Sequence, residues 1–424
     1  MIKKSRATFV NLELLNNPHK TILMAQDKDQ KTLNVPPLRF PGFTDEWKKT
    51  TLGEIGSGFN YGLNAPAKEF DGVNKYIRIT DIDDSSGAYI KDNEVSPNGI
   101  LTQDYIVQDN DILLARTGAS TGKSYLYNPN DGKLYFAGFL IRFNVSSANP
   151  YFVYSILHTR NYWKWVSIMS ARSGQPGINS QEYSSYSLNI PSQEEQDRIA
   201  SLLQLLDERI ATQNKIIEDL KKLKSAIIDS IMDNSNYQRI RFEELYDKAS
   251  EGGTPSTSIS EYYTDGTIPF VKIEDLSKKY LFDSKDHITE LGLCKSSAWI
   301  IPTNSIIYSN GATIGAISIN KIPICTKQGI LGIIPKKEFD VEYLYYFMSS
   351  TYFRKQVERI VTEGTMRTAY LKDINHIECP IPDLEEQNSI SQMLRSISNK
   401  IDTEQTLLTA YVQHKDYLLK YMFI

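Results

Sequence analysis

Two stretches of the chain place apolar residues in alternating steps of three and four, each over roughly 35–40 residues. The first passes through Ile199, Leu203, Leu206, Ile210, Gln213, Ile217, Leu220, Lys224, Ile227 and Ile231. The second passes through Ile390, Leu394, Ile397, Ile401, Glu404, Leu408, Tyr411, Lys415, Leu418 and Met422. Such spacing lays one face of a helix along a partner helix. The polar interruptions coincide, Gln213 with Glu404 and Lys224 with Lys415. Both stretches open on one phrase, Ile190-Pro191-Ser192-Gln193-Glu194-Glu195-Gln196 and, about 191 residues later, Ile381-Pro382-Asp383-Leu384-Glu385-Glu386-Gln387. Ser192 with Glu195, and Asp383 with Glu386, have capping-box spacing, and the acidic first turns suit the helix dipole. Residues 192–235 and 383–424 are therefore expected as long helices, each ~55–60 Å at ~1.5 Å per residue.

The segments before the helices alternate with the shorter period of strands. Tyr76–Ile82 matches Phe270–Leu276, with Arg78 and Lys272 at the same place. Asp111–Gly122 matches Asn304–Gly315, a buried strand entering a glycine-rich turn. Phe139–Phe143 and Ile330–Ile334 predict the next core strand, each followed by one aromatic amphipathic helix, around Tyr151–Arg160 and Val341–Ser350. Trp163 and Trp165 are expected in the core beside Tyr162 rather than as base-stacking residues. Residues 1–35 are polar and weakly periodic and are expected as a loosely ordered extension.

The pattern therefore predicts an α+β chain: two similar mixed α/β domains, 36–191 and 236–382, separated by two long antiparallel helices that form a coiled-coil spacer. The whole is a pseudo-two-fold internal repeat. Matching register favours helix pairing within one chain. Packing of each helix on its own domain, or a homodimeric coiled coil, is the alternative. Leu206, Ile210, Leu220, Ile397, Ile401 and Leu408 are the expected packing residues of the spacer. Glu208, Lys221 and Lys222 fall on its outer face, toward a partner or toward water.

Composition changes this picture little. The 424 residues suffice for two or three domains, and the formal net charge of −4 marks no strongly basic nucleic-acid binder. Cys294, Cys325 and Cys379 are too few and too scattered for a disulfide framework or a metal site. The first residues lack the apolar run of a signal peptide, and no stretch of ~18 apolar residues is present. A cytoplasmic protein is expected.

Catalytic constellations are missing from the pattern. Thr117–Ser124 resembles a phosphate-binding loop, but only three residues separate Gly118 from Gly122 where four are needed. None of the five histidines lies within metal-ligand spacing of another. The expectation is a binding scaffold with no catalytic and no metal-ligating residue.

Three features together carry a resemblance: Leu38-Arg39-Phe40-Pro41-Gly42-Phe43 followed by Trp47, the Gly252-Gly253-Thr254-Pro255-Ser256 opening, and the two Ile-Pro-x-x-Glu-Glu-Gln helix starts. They resemble the DNA-specificity subunit of type I restriction–modification enzymes from about residue 36 to the C-terminus. The resemblance implies two target-recognition domains, each reading one half of a bipartite site in double-stranded DNA. It implies helices that set the spacing and dock two modification (methyltransferase) subunits, which restriction (ATP-dependent translocase/nuclease) subunits join. S-adenosylmethionine, ATP and Mg²⁺ would then serve those partners, with no cofactor in this chain. A bilobed coiled-coil assembly protein without DNA recognition is the other reading.

Base edges are read by forked or amide donors on loops, Arg or Lys toward guanine and Asn or Gln toward adenine. In the first domain this nominates Arg78, Arg116, Lys123, Arg172, Ser173, Gln175 and Asn179, the last four on or beside the polar loop Ser170–Gly177. In the second it nominates Lys272, Asn310, Lys327, Gln328, Thr365 and Arg367. Arg78 and Lys272 have a second reading, as caps on a sheet edge.

Overall fold

A computed structural model describes residues 33–171, 176–311, 313–361 and 367–424. Nearly all of the N-terminal extension, and Arg172, Ser173, Gln175 and Thr365, lie outside the described residues. The chain divides into two compact units, residues 1–203 with 417–424, and residues 204–416.

In the first unit a four-stranded antiparallel sheet runs in the order Gly56–Tyr61, Leu140–Val145, Asp111–Ala115, Ser124–Leu126. The strand Asp111–Ala115 is buried along its whole length, so nearly continuous apolar residues are what it requires. Leu113 and Ala115 pack with Ile77, Val107, Leu134 and Phe136. In the second unit five strands run Tyr246–Glu251, Ile330–Pro335, Ile306–Ser309, Ile317–Asn320, Tyr280–Leu281. Each domain also closes on itself. Lys48–Thr51 pairs antiparallel with Ser187–Ile190, and Gln238–Arg241 with Glu378–Ile381, so a two-strand ribbon hands the chain to each long helix.

Register corrects how the copies align. Ile112 faces Phe143 and Leu126, whereas Ile306 faces Ile333 and Ile319, so the second hairpin is one residue shorter. Arg116 therefore corresponds to Asn310 rather than Ser309. Arg116 N–H donates to the Phe139 carbonyl and Asn310 N–H to that of Gly329, both at 3.1 Å. The carbonyls of Arg116 and Asn310 accept from the Ile178 and Ala369 N–H groups, both at 2.9 Å.

The expected strands at 76–82 and 270–276 stop early. Lys75–Ile77 and Ile268–Val271 are strands, but Ile79–Asp81 and Ile273–Asp275 are single 3₁₀ turns. Asp81 and Asp275 turn the chain by accepting the backbone N–H of Arg78 and Lys272, both at 2.8 Å. Each single amphipathic helix is in fact a pair, Pro150–Ile156 with Arg160–Met169 and Val341–Ser349 with Thr351–Ile360. Thr159 and Ser350 interrupt them by capping the second helix through their hydroxyls. Trp165 packs on Tyr162 and Tyr186, but Trp163 is 43% exposed and does not belong to the core.

The long helices run Gln193–Met232 and Leu384–Tyr421. Every seam position is buried or half-buried: Leu206 is buried, and Ile210, Leu220, Ile397, Ile401 and Leu408 are half-buried. Within the second unit the helices pair antiparallel. Gln213 Nε2 donates to the Glu404 carbonyl at 3.1 Å and to its carboxylate, and Lys415 meets Asp207 at 2.6 Å. Gln213 and Glu404 lie 191 positions apart, the offset of the repeat itself, so a local two-fold axis of the helix pair passes between them.

The repeated phrase has a structural task at its last residue. Gln196 accepts the Asn149 N–H at 2.9 Å and donates to the Pro191 carbonyl at 3.0 Å. Gln387 accepts the Asp340 N–H at 2.9 Å and donates to the Pro382 carbonyl at 2.9 Å. Each glutamine thus ties the start of a long helix to the first of the paired short helices. The glutamates before them diverge. Asp383 caps the Glu386 N–H at 2.8 Å, as the spacing predicts. Glu195 is instead fully buried and forked by Arg39 at 2.6 and 2.7 Å, which withdraws it from the expected capping box.

Candidate nucleic-acid interface

Beside the turn that follows strand Asp111–Ala115, the segments around Gly62 and Gly138 approach each other closely. Gly62 N–H reaches the Leu140 carbonyl and Gly138 N–H the Leu63 carbonyl, at 3.1 and 2.8 Å. A Cβ on Gly62 would stand 2.3 Å from the Ala137 carbonyl oxygen, so only glycine allows this contact. The approach places Tyr61 beside Arg116, whose guanidinium carbon lies 4.7 Å from the Tyr61 ring centroid. Ser180 N–H donates to the Tyr61 hydroxyl at 3.3 Å. Hydrogen bonding from Ser180, aided by the charge and a hydrogen bond of Arg116, holds the Tyr61 phenol below its ordinary pKa against the effect of burial. Tyr61 and Phe139 remain 42% and 59% exposed.

Of the other described nominees in the first domain, each is tied inward. Arg78 forks Asp81 at 2.8 and 2.7 Å across the 3₁₀ turn that follows its strand. Lys123 is largely buried, donating to the Ile82 carbonyl at 3.0 Å and pairing with Asp84. Asn179 caps a short helix by accepting the Glu182 N–H at 2.9 Å. Arg116 thus differs from Arg78 and Lys123 in having no carboxylate partner among the described residues, and its Nε is buried without a hydrogen bond.

The second domain distributes its donors otherwise. Asn310 is only 3% exposed, and its amide donates to the Ala369 carbonyl at 3.2 Å and toward Glu251 at 3.4 Å. Lys272 pairs with Asp286 at 2.8 Å. Lys327 and Gln328 are exposed on a turn that Glu251 anchors by accepting the Gly329 N–H at 3.1 Å. Arg367 is exposed at a groove of about 400 Å³ lined by Tyr308, Met348 and Phe353.

The structure thus brings Arg116 onto an aromatic surface and leaves Lys327, Gln328 and Arg367 open, while Arg78, Lys123, Asn179, Lys272 and Asn310 are engaged in the fold. Sequence reasoning missed Tyr61, Phe139 and Glu251. Only strand register could have found Tyr61, since it lies opposite Ile141 at the end of a neighbouring strand. Among the described residues no His, Cys, Asp and Glu cluster is disposed to hold a metal ion, and no helix is long and apolar enough to cross a membrane.

Comparison with known proteins assigns this architecture. The model of the type I restriction modification DNA specificity domain matches twice, over residues 44–222 and 234–410. The chain is 33% identical over 156 residues to the type I restriction enzyme MjaIX specificity subunit of Methanocaldococcus jannaschii, spanning 36% of this chain and 36% of that protein. It is 24% identical over 457 residues to the HindI specificity subunit of Haemophilus influenzae, covering 85% of this chain and 96% of that one. Its fold is similar to the crystal structure of the type I restriction–modification S subunit from M. genitalium, with a TM-score of 0.59, 17% identity, and 92% and 99% of the two chains covered.

Proposed function

Because the chain belongs to the family of type I restriction–modification specificity subunits, we propose that each of its two domains reads one half of a bipartite site in double-stranded DNA while the paired helices set the distance between halves. The observation that carries this reading is the meeting of Gln213 with Glu404. Equivalent residues of the two copies face each other there, the local symmetry expected of a spacer between two readers of opposed half-sites.

In this reading the chain itself is non-catalytic. Two modification subunits dock on it, and restriction subunits join that core in the cytoplasm. S-adenosylmethionine, ATP and Mg²⁺ serve those partners. The near-neutral charge supports shared work, because a chain with no excess of cations leaves part of the phosphate grip to the modification subunits. Base readout falls to exposed loop donors, with Arg116, Lys327, Gln328 and Arg367 the described candidates. The other reading, an assembly protein without DNA recognition, gains nothing from the family match.

Methylome sequencing of a host carrying this chain and its modification subunit tests the proposal. A split motif that appears with the gene is expected, and its absence overturns the reading. Inserting one heptad into each long helix should lengthen the gap between half-sites while leaving both half-sites intact. An unchanged gap refutes the spacing role.

A further inference from the structure

We infer that Arg116 reads a guanine in the half-site of the first domain, with Tyr61 as its positioning residue. The inference rests on the DNA-specificity reading above and names which donor carries sequence information in one lobe.

Three observations converge on Arg116. Its charge is held by an aromatic face, whereas Arg78, Lys123 and Arg142 each have a carboxylate partner. Neutralised cations have little left to offer an incoming base edge. Second, the guanidinium carbon lies 4.7 Å from the centroid of the Tyr61 ring and the guanidinium also reaches the Tyr61 hydroxyl, so one neutral side chain positions the cation without neutralising it. Third, the backbone of Arg116 is fixed on both sides, by the Phe139 carbonyl and by the Ile178 N–H, so the side chain departs from a rigid strand end. Buried Nε has no partner, and the side chain is partly exposed, which directs recognition to its terminal nitrogens.

Guanine is the base that fits such a fork. Its major-groove edge presents two acceptors, O6 and N7, while adenine replaces one of them with an amino donor that would face the guanidinium. Tyr61 meets the cation with a partly exposed aromatic surface rather than with competing charge. The equivalent Asn310 is sealed within its domain, so the effect belongs to one half-site only.

The test uses the complete complex of this chain with its modification subunits and a duplex library with both half-sites randomised. Bound duplexes are sequenced. The unaltered complex should select a guanine in one half, and Arg116→Ala should reduce preference for that guanine roughly 10- to 100-fold while other positions keep theirs. Arg116→Lys should retain overall affinity and a weakened guanine preference, because an ammonium still donates to O6 and N7 but without the planar fork. Arg116→Gln should move the preference toward adenine. Tyr61→Phe, which keeps the ring but loses the hydroxyl, should weaken the same single preference slightly, and Tyr61→Ala should weaken it more. Preference lost evenly across all positions, or unchanged in Arg116→Ala and Arg116→Gln variants that melt normally, overturns the assignment. A selected half-site without guanine overturns it too. If the unaltered complex selects no split motif, the DNA-specificity reading itself fails, and the two failures are thereby distinguished.

Discussion

Gln196 and Gln387 hold the same hydrogen bonds in the two copies, whereas Arg116 and Asn310 share a backbone position and almost nothing else. The first pair joins a domain to its long helix. The second pair ends the central strand, where the surface of each domain begins. Duplication has kept side-chain chemistry at the joints and only backbone hydrogen bonds at the turns. The lesson is physical: a buried amide bridging two elements has one solution, while a turn held by its own N–H and carbonyl groups accepts any side chain.

The joints are not identical throughout, and substitutions can measure how far they agree. The largest expected effect is Arg39→Ala, which strands the buried Glu195 carboxylate and should cost about 3–5 kcal/mol, read as a lower urea midpoint of the first unit. A cost below 1 kcal/mol would mean that the glutamate is not sealed. The second unit has a different anchor. Glu342 accepts from Tyr280, Lys279 and Arg395 at 2.6, 3.0 and 2.9 Å, tying its short helix to the second long helix. Burial works to raise the Glu342 pKa, but those three donors outweigh it and hold the carboxyl below its ordinary value. Its stabilisation is therefore present above the unfolded-state pKa of about 4.3 and lost as pH falls through the lower folded value. Glu342→Gln should cost about 2–3 kcal/mol at pH 7, and the difference from the unaltered chain should shrink as the midpoint is followed below pH ~4. A difference independent of pH would show that the carboxylate charge contributes nothing.

The glutamine pins test the likeness directly. Gln196→Ala and Gln387→Ala should each cost about 1–3 kcal/mol, because each leaves a helix-start N–H and a proline carbonyl without their partner. Costs that differ by more than 1 kcal/mol in denaturation would break the equivalence. The smallest effect is expected at Tyr237→Phe. It removes an exposed hydrogen bond to Glu386 of 2.6 Å, and the loss in thermal stability should stay near 0.5 kcal/mol. This is the second-copy counterpart of the Arg39 fork, and a large effect there would make the two joints energetically alike.

The helices were legible in the sequence because their partner repeats the same period. Apolar positions three and four apart specify a seam whatever the sheets do, so each nominated packing residue from Leu206 to Leu408 is removed at least partly from water. The strands Asp111–Ala115 and Ile330–Pro335 were legible for a different reason, as nearly continuous apolar runs. The turn chemistry was not. Whether Lys123 points outward depends on Asp84 and the Ile82 carbonyl, brought beside it by folding rather than by local pattern. Asn179 was spent on a helix cap whose partner Glu182 lies nearby, a spacing the sequence contained but the loop reading passed over. The shortened second hairpin was hidden because one missing residue leaves the glycines still aligned while shifting the strand before them.

The pair Gln213 and Glu404 also bears on which halves of such a chain can associate. A residue on a two-fold axis meets its own copy, so any change there is felt twice in a self-association and once in the native molecule. Two first halves would set glutamine against glutamine, a neutral contact. Two second halves would set carboxylate against carboxylate, each with only the Lys400 of its own helix as counter-charge. The native combination alone supplies an amide donor to a carboxylate acceptor. One divergent residue has thus turned a symmetric seam into a discriminating one, in which each half is better matched to the other than to itself.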